Sequence, residues 1–164
     1  MPPPIRVEIV PYSTTWPESA QREIDHLHIV LGSALSTIHH IGSTAIPSLA
    51  AKPVIDLMPV VDDMGVLDDS LPSLEQIGYR SWGELGIPGR RYLTKDAETG
   101  TRLFQLHCFQ LGSLQTERHL AFRDYLRSHP ALIAAYQNEK QRCADLHRSD
   151  SHAKIGIIFP SPFE

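Results

Sequence analysis

Two cysteines in 164 residues, Cys108 and Cys143, are too few and too far apart for a disulfide framework, and no CxxC spacing exists. Ordinary buried thiols in a reducing compartment are the expectation. The nine histidines fall into no HExxH pattern, so no zinc-protease motif is present. Basic charge is also short. Fifteen Lys and Arg stand against nineteen Asp and Glu, for a net charge of −4. That argues against a broad nucleic-acid surface and leaves room only for a local basic pocket. Met1-Pro-Pro-Pro has neither a basic start nor an apolar block. No secretion leader or membrane span is expected, and the reading is cytoplasmic. What remains is an ordinary globular composition, 41% hydrophobic and 21% charged, in a length suited to one domain over 1–164.

The informative stretch is Ile38–Val61, IHHIGSTAIPSLAAKPVIDLMPVV. It reads as a short strand over 36–41, a tight Gly42-Ser43-Thr44 turn, a loop, and an apolar strand over 54–61. One carboxylate, Asp56, sits inside that apolar run. An ionised carboxylate there is costly unless it meets a metal, a cation or several donors. Asp56 therefore marks either a site or a structural ion pair with an arginine.

The remaining pattern is α/β. Val7–Val10 reads as a short strand. A helix follows from a Ser13-Thr14-Thr15 cap to Leu31, with Ala20, Ile24, Leu27 and Leu31 as its stripe and Gly32 as its stop. Asp62-Asp63 caps a second helix over 64–77, with a break expected at Pro72. Residues 79–82 form a strand, and 83–89 a glycine-rich loop. Residues 90–94 and 101–110 form a hairpin. On its second arm Phe104, Leu106 and Cys108 point one way, and Leu103, Gln105, His107 and Phe109 the other. The chain then becomes helical. One helix starts near Glu117 with Phe122, Tyr125, Leu126 and His129 on one face. A second runs over 131–147 behind Pro130, with a seam of Leu132, Tyr136, Glu139, Cys143 and Leu146. The tail Ile155-Gly-Ile-Ile-Phe-Pro is apolar and needs a docking surface. The expectation is a mixed sheet of about four to six strands packed on helices, with a C-terminal helical pair.

A Gly–Ser turn after a strand offers backbone N–H groups and a hydroxyl to phosphate oxygens. With an acid on the neighbouring strand, it is the layout of nucleotidyltransferases, where strand carboxylates hold Mg²⁺. The usual second acid, two residues on, is here Met58, a poor ligand for a hard cation.

His40-Ile-Gly-Ser-Thr-Ala-Ile-Pro47 followed by Ala51-Lys-Pro-Val-Ile-Asp56 closely resembles the signature of the GrpB (UPF0157-type) family. Val10-Pro-Tyr with Trp16-Pro17, Arg90-Arg91-Tyr92, Leu106-His107 and the segment Phe122–Arg127 with Tyr136 and Lys140 extend the resemblance over about 7–148. It is also similar to the C-terminal domain of some bacterial dephospho-CoA kinases. Ser48 stands where glycine is usual in the family. The resemblance implies a nucleotidyltransferase-like fold, similar to the DNA polymerase beta palm, and a nucleotide or other phosphorylated ligand.

In that frame Gly42, Ser43 and Thr44 would hold phosphate. Asp56 would bind Mg²⁺ or another divalent ion, with His40 and His107 completing the metal or catalytic set. Lys52, Arg90 and Arg91 would offset negative charge, although strand alternation lets only one of the two arginines face the site. Arg123 and Arg127, four apart on a helix, form either an anion patch or a solvated face. Two rival readings stay open: a non-catalytic accessory domain, and an enzyme that makes cyclic dipeptides from aminoacyl-tRNA, as some fungal relatives look to be. The negative net charge counts against the second.

Overall fold

The structure is a computed structural model and describes residues 1–3 and 8–146, with Ala144 described by its backbone alone. Val7, His147, Lys154 and the apolar tail lie outside the described residues. Of the first expected strand, Val10 is seen in a two-way backbone pairing with Ala51.

Ser13 opens helix α1, Thr15–Leu31, its hydroxyl accepting from the Thr15 N–H at 3.2 Å. The α1 stripe buries Trp16, Ala20, Leu27 and Leu31, as the 3.6-residue spacing requires. Strand β1, Leu35–Ile41, leads through Gly42 into a single 3-10 turn over Ser43–Ala45. Strand β2 is Ile55–Val61. Helix α2, Met64–Gln76, starts at Asp63, whose carboxylate accepts from the Gly65 and Val66 N–H groups. No break occurs at Pro72. The helix is continuous because Leu67 and Leu74 on either side are fully buried anchors. Pro72 itself is exposed, and the Asp68 carbonyl it deprives of a donor lies one turn earlier on the same outer side.

Strand β3 is Tyr79–Ser81, β4 is Arg91–Asp96 and β5 is Arg102–Gln110. Together they complete a five-stranded mixed sheet in the order β1-β2-β5-β4-β3. Only β2 and β5 run parallel. Both are interior strands, which explains the almost unbroken burial of β2. Alternation then sorts the side chains. Leu57, Leu93, Leu106 and Cys108 face α1 and α2 in the main core, while Ile41, Met58 and Phe109 form a smaller cluster with Leu120 on the other face.

Helix α3, Leu114–Ser128, and helix α4, Pro130–Leu146, form the C-terminal pair. Their inward faces differ from the expected stripes. Tyr125 is 54% exposed and stacks on the His129 ring at 4.1 Å at the surface. On α4, Leu132 and Leu146 are exposed, while Ile133, Tyr136 and Cys143 turn inward. Adjacent apolar residues such as Leu132 and Ile133 support two phasings of one helix. Contact with Ile46 and Leu49 selects between them.

Candidate functional site

One row of residues crosses the sheet at a single register. Ile41 pairs with Asp56, Asp56 with Gln105, Gln105 with Thr94, and Thr94 with Arg80. Register partners share a face, so Asp56 points away from the main core, and His107, two residues beyond Gln105, stands on its side. The Asp56 Oδ1 lies 3.2 Å from His107 Nε2, and the two side chains are 18% and 15% exposed.

The Gly42 turn closes directly over this acid. Gly42 has φ +71°, and a Cβ added to it would stand 2.7 Å from Asp56 Oδ2. Both the backbone conformation and the space require glycine here. The turn is fixed from the far side by the helical pair. Arg123 donates to the His40 carbonyl at 3.1 Å, and Arg127 to the Ala45 carbonyl at 2.8 Å. Lys140 donates to the Ala50 carbonyl at 3.1 Å. Arg123 and Arg127 therefore brace the turn through its carbonyls. Thr44 is buried, its hydroxyl 2.9 Å from His40 Nε2. With the Thr44 hydroxyl engaged, the turn's groups suited to phosphate are the Ser43 hydroxyl and the first backbone N–H groups of the 3-10 turn.

Arg90 occupies the other side of His107. Its Nη1 is 3.5 Å from His107 Nδ1. A guanidinium only donates, so Nδ1 accepts and the imidazole proton sits on Nε2, facing Asp56. Arg90 Nε and Nη2 donate to the Glu84 and Leu85 carbonyls at 3.1 and 2.7 Å, and the guanidinium lies 5.0 Å above the Tyr92 ring. Arg91, its neighbour, turns to the opposite face and makes a two-pronged pair with Asp68 of α2 at 2.7 and 2.8 Å. The structure thus brings Arg90 to His107, the partner of Asp56, and leaves Arg91 out.

Burial pushes the Asp56 carboxyl up, but the His107 hydrogen bond and the charges of His107, Lys52 and His119 outweigh it and hold it below the usual carboxylate range. His119, on α3, is the member that sequence reasoning missed. Its ring lies 5.7 Å from His107 and 6.0 Å from Phe109, and burial lowers it to about 4. The available signal was helical spacing: His119, Arg123 and Arg127 fall at i, i+4 and i+8 on one face of α3. His40 registers with Leu57 rather than Asp56 and bonds Thr44. Burial lowers it to about 4 as well, although the Asp56 charge still reaches it.

The donor set does not fit a divalent ion held by protein carboxylates. Asp56 gives one oxygen to His107 and sets the other against Gly42. Met58 is fully buried among Ile41 and Phe109. Among the described residues no group of three His, Cys, Asp or Glu side chains is arranged to hold a metal.

Residues 6–154 match the family described as GrpB protein. The chain belongs to the GrpB family. It is 39% identical over 145 residues to the UPF0157 protein YqkA of Bacillus subtilis, covering 88% of this chain but only 42% of that protein's length. The crystal structure of conserved protein GrpB from Enterococcus faecalis superposes with a TM-score of 0.80 at 38% identity, covering 85% of this chain and 84% of that one. A Cid1 poly(U) polymerase structure gives a TM-score of 0.56 at 19% identity over 80% of this chain and 41% of the polymerase. The fold is therefore nucleotidyltransferase-like. A weaker likeness, 33% identity over 93 residues, links 55% of the chain to 21% of a Mycobacterium tuberculosis dephospho-CoA kinase. No helix of the described residues is long and apolar enough to cross a membrane.

Proposed function

We propose that this GrpB-family chain binds a nucleotide or another small phosphorylated ligand where the Gly42–Ser43 turn meets Asp56. The observation that carries the reading is the seat of Gly42 on the Asp56 carboxylate, with no room for a side chain between them. A turn held that tightly keeps its N–H groups aimed at one place. Lys52 and Arg90 add positive charge, and His107, oriented by Asp56, is placed to carry a proton. Binding is a firmer reading than transfer, because Met58 removes the second strand acid on which phosphoryl transfer usually relies.

Met58 also favours a second reading, a non-catalytic accessory domain. The partial likeness to a dephospho-CoA kinase agrees with it. Isothermal titration with a panel of nucleoside mono-, di- and triphosphates separates the two. Saturable binding that Asp56→Ala alters, in a variant that still melts cooperatively, supports the ligand site. Absence of heat across the panel, with Asp56→Ala merely less stable, removes it.

A further inference from the structure

Arg90 is a buried cation with no carboxylate of its own. It is 6% exposed. Its acceptors are two loop carbonyls and His107 Nδ1, and among the described residues none of the ion pairs includes it. Elsewhere among the described residues Lys95 and Tyr79 both reach Glu23, Arg102 pairs with Asp96, and Lys140 is held by the Ala50 carbonyl under the turn. Burying an unmatched charge costs several kcal/mol, which carbonyl dipoles offset only in part. The cleft's acid side is short by comparison. Asp56 is one carboxylate where two are usual, and the positions around it offer Lys52, His107 and His119.

Resting on the phosphate reading above, we propose that the cleft takes a compact polyanion, a di- or triphosphate group, as the free anion rather than as its Mg²⁺ complex. Arg90 supplies the positive charge that a metal supplies elsewhere. Guanidinium presents a fixed fork of N–H donors to phosphate oxygens, and three of the five donors of Arg90 already anchor it, leaving others for a ligand. Asp56 then has a different task from that of a metal ligand. It fixes the His107 tautomer, and its own charge repels the incoming anion.

That repulsion sets the sign of the test. Tripolyphosphate and ATP are titrated calorimetrically into the full chain in EDTA and again in excess Mg²⁺. Binding is expected in EDTA and is weakened several-fold by Mg²⁺, which neutralises the ligand. Asp56→Asn keeps the shape and a hydrogen bond to His107 but removes one like charge. It should tighten binding in EDTA by up to about tenfold, the scale of a unit charge ~6 Å away in a half-solvated site. Arg90→Lys keeps the charge without the fork and should weaken binding by about tenfold. If Arg90→Lys fails to fold, the Asp56→Asn result decides alone. Binding seen only with Mg²⁺, or lost in Asp56→Asn, overturns this proposal while leaving a phosphate site in place. No binding in either buffer overturns both.

Discussion

The two faces of the sheet handle charge differently. Toward α1 and α2, Leu57, Leu93, Leu106 and Cys108 are fully buried. The ionic groups at that face are paired, Glu23 with Lys95 and Arg91 with Asp68. Toward α3 the interior is a small cluster, beside which Asp56, His107, His119 and Arg90 gather in a chain of contacts. Arg90 and Arg91 make the contrast within two residues. One is locked by a carboxylate; the other is buried among carbonyls and left one negative charge short. Packing and paired charges account for the residues named on the first face. The second holds arrangements that packing alone would not select, and those are the usual marks of a binding site.

The largest expected effect tests whether the faces are independent. Leu106→Ala removes a fully buried side chain from the main core. It should lower unfolding free energy by about 3 kcal/mol, within the usual 2–5 range for such truncations. Urea unfolding measures that loss, and calorimetry on the folded fraction should give unchanged ligand affinity. Altered affinity would show that the main core also sets the geometry of the cleft.

Next comes acid sensitivity, which should belong to the histidines around the Gly42 turn and α3. Burial lowers His40 and His119 to about 4 and lowers His39 too. A histidine whose folded value lies below its unfolded one takes up its proton preferentially in the unfolded chain. Stability is therefore fully present above about pH 6.5 and falls as pH drops from there toward about 4. Asp56 has the opposite ionic role but the same direction at lower pH. Its depressed value stabilises the fold above the usual carboxylate range, and that gain disappears as the group is protonated. Melting temperature followed from pH 7.5 to 4.5 should decline, with a shallower slope in His119→Gln. An equal slope in that variant would place the acid-sensitive group elsewhere.

The sequence carried the near-sighted parts of this comparison and not the far-sighted ones. Strand and helix positions followed from period and caps. The Gly42–Asp56 meeting was legible because turn and acid lie within one hairpin, whose register the alternation of β1 and β2 restricts. Alternation also predicted that Arg90 and Arg91 would part, but not which would reach His107, because that depends on how β4 pairs with β5. The parallel β2–β5 contact joins residues some fifty positions apart, such as Asp56 and Gln105, and no local pattern announces it. His107 could be named as a candidate without its partner being visible from the sequence. His119 was lost because attention to the large apolar residues of α3 chose a face that proved to be partly solvent-exposed. The polar stripe His119, Arg123, Arg127 is the one whose side chains reach His107 and the turn.

The smallest effect concerns the loop that joins the turn to β2. Ser48, a non-glycine residue, adopts φ +66°. The Leu49 N–H bonds the Ile46 carbonyl at 3.3 Å, so Ile46-Pro47-Ser48-Leu49 is a four-residue turn with proline second and a left-handed residue third. That arrangement favours glycine at the third position. A non-glycine residue there carries about 1–2 kcal/mol of strain, whereas glycine adds about 0.5–1 kcal/mol of unfolded-state entropy. Ser48→Gly should therefore stabilise by under about 1 kcal/mol, read as a small rise in urea midpoint at constant slope. Ligand affinity should not change, since Ser48 is exposed and the residues on either side of the turn, Ile46 and Leu49, stay fully buried against Leu126. A loss of stability would mean that the Ser48 hydroxyl contributes more than its backbone strain removes. A change in affinity would mean that the brace beneath Gly42 extends through this turn, so that the α3 face reaches further along the chain than the cleft itself.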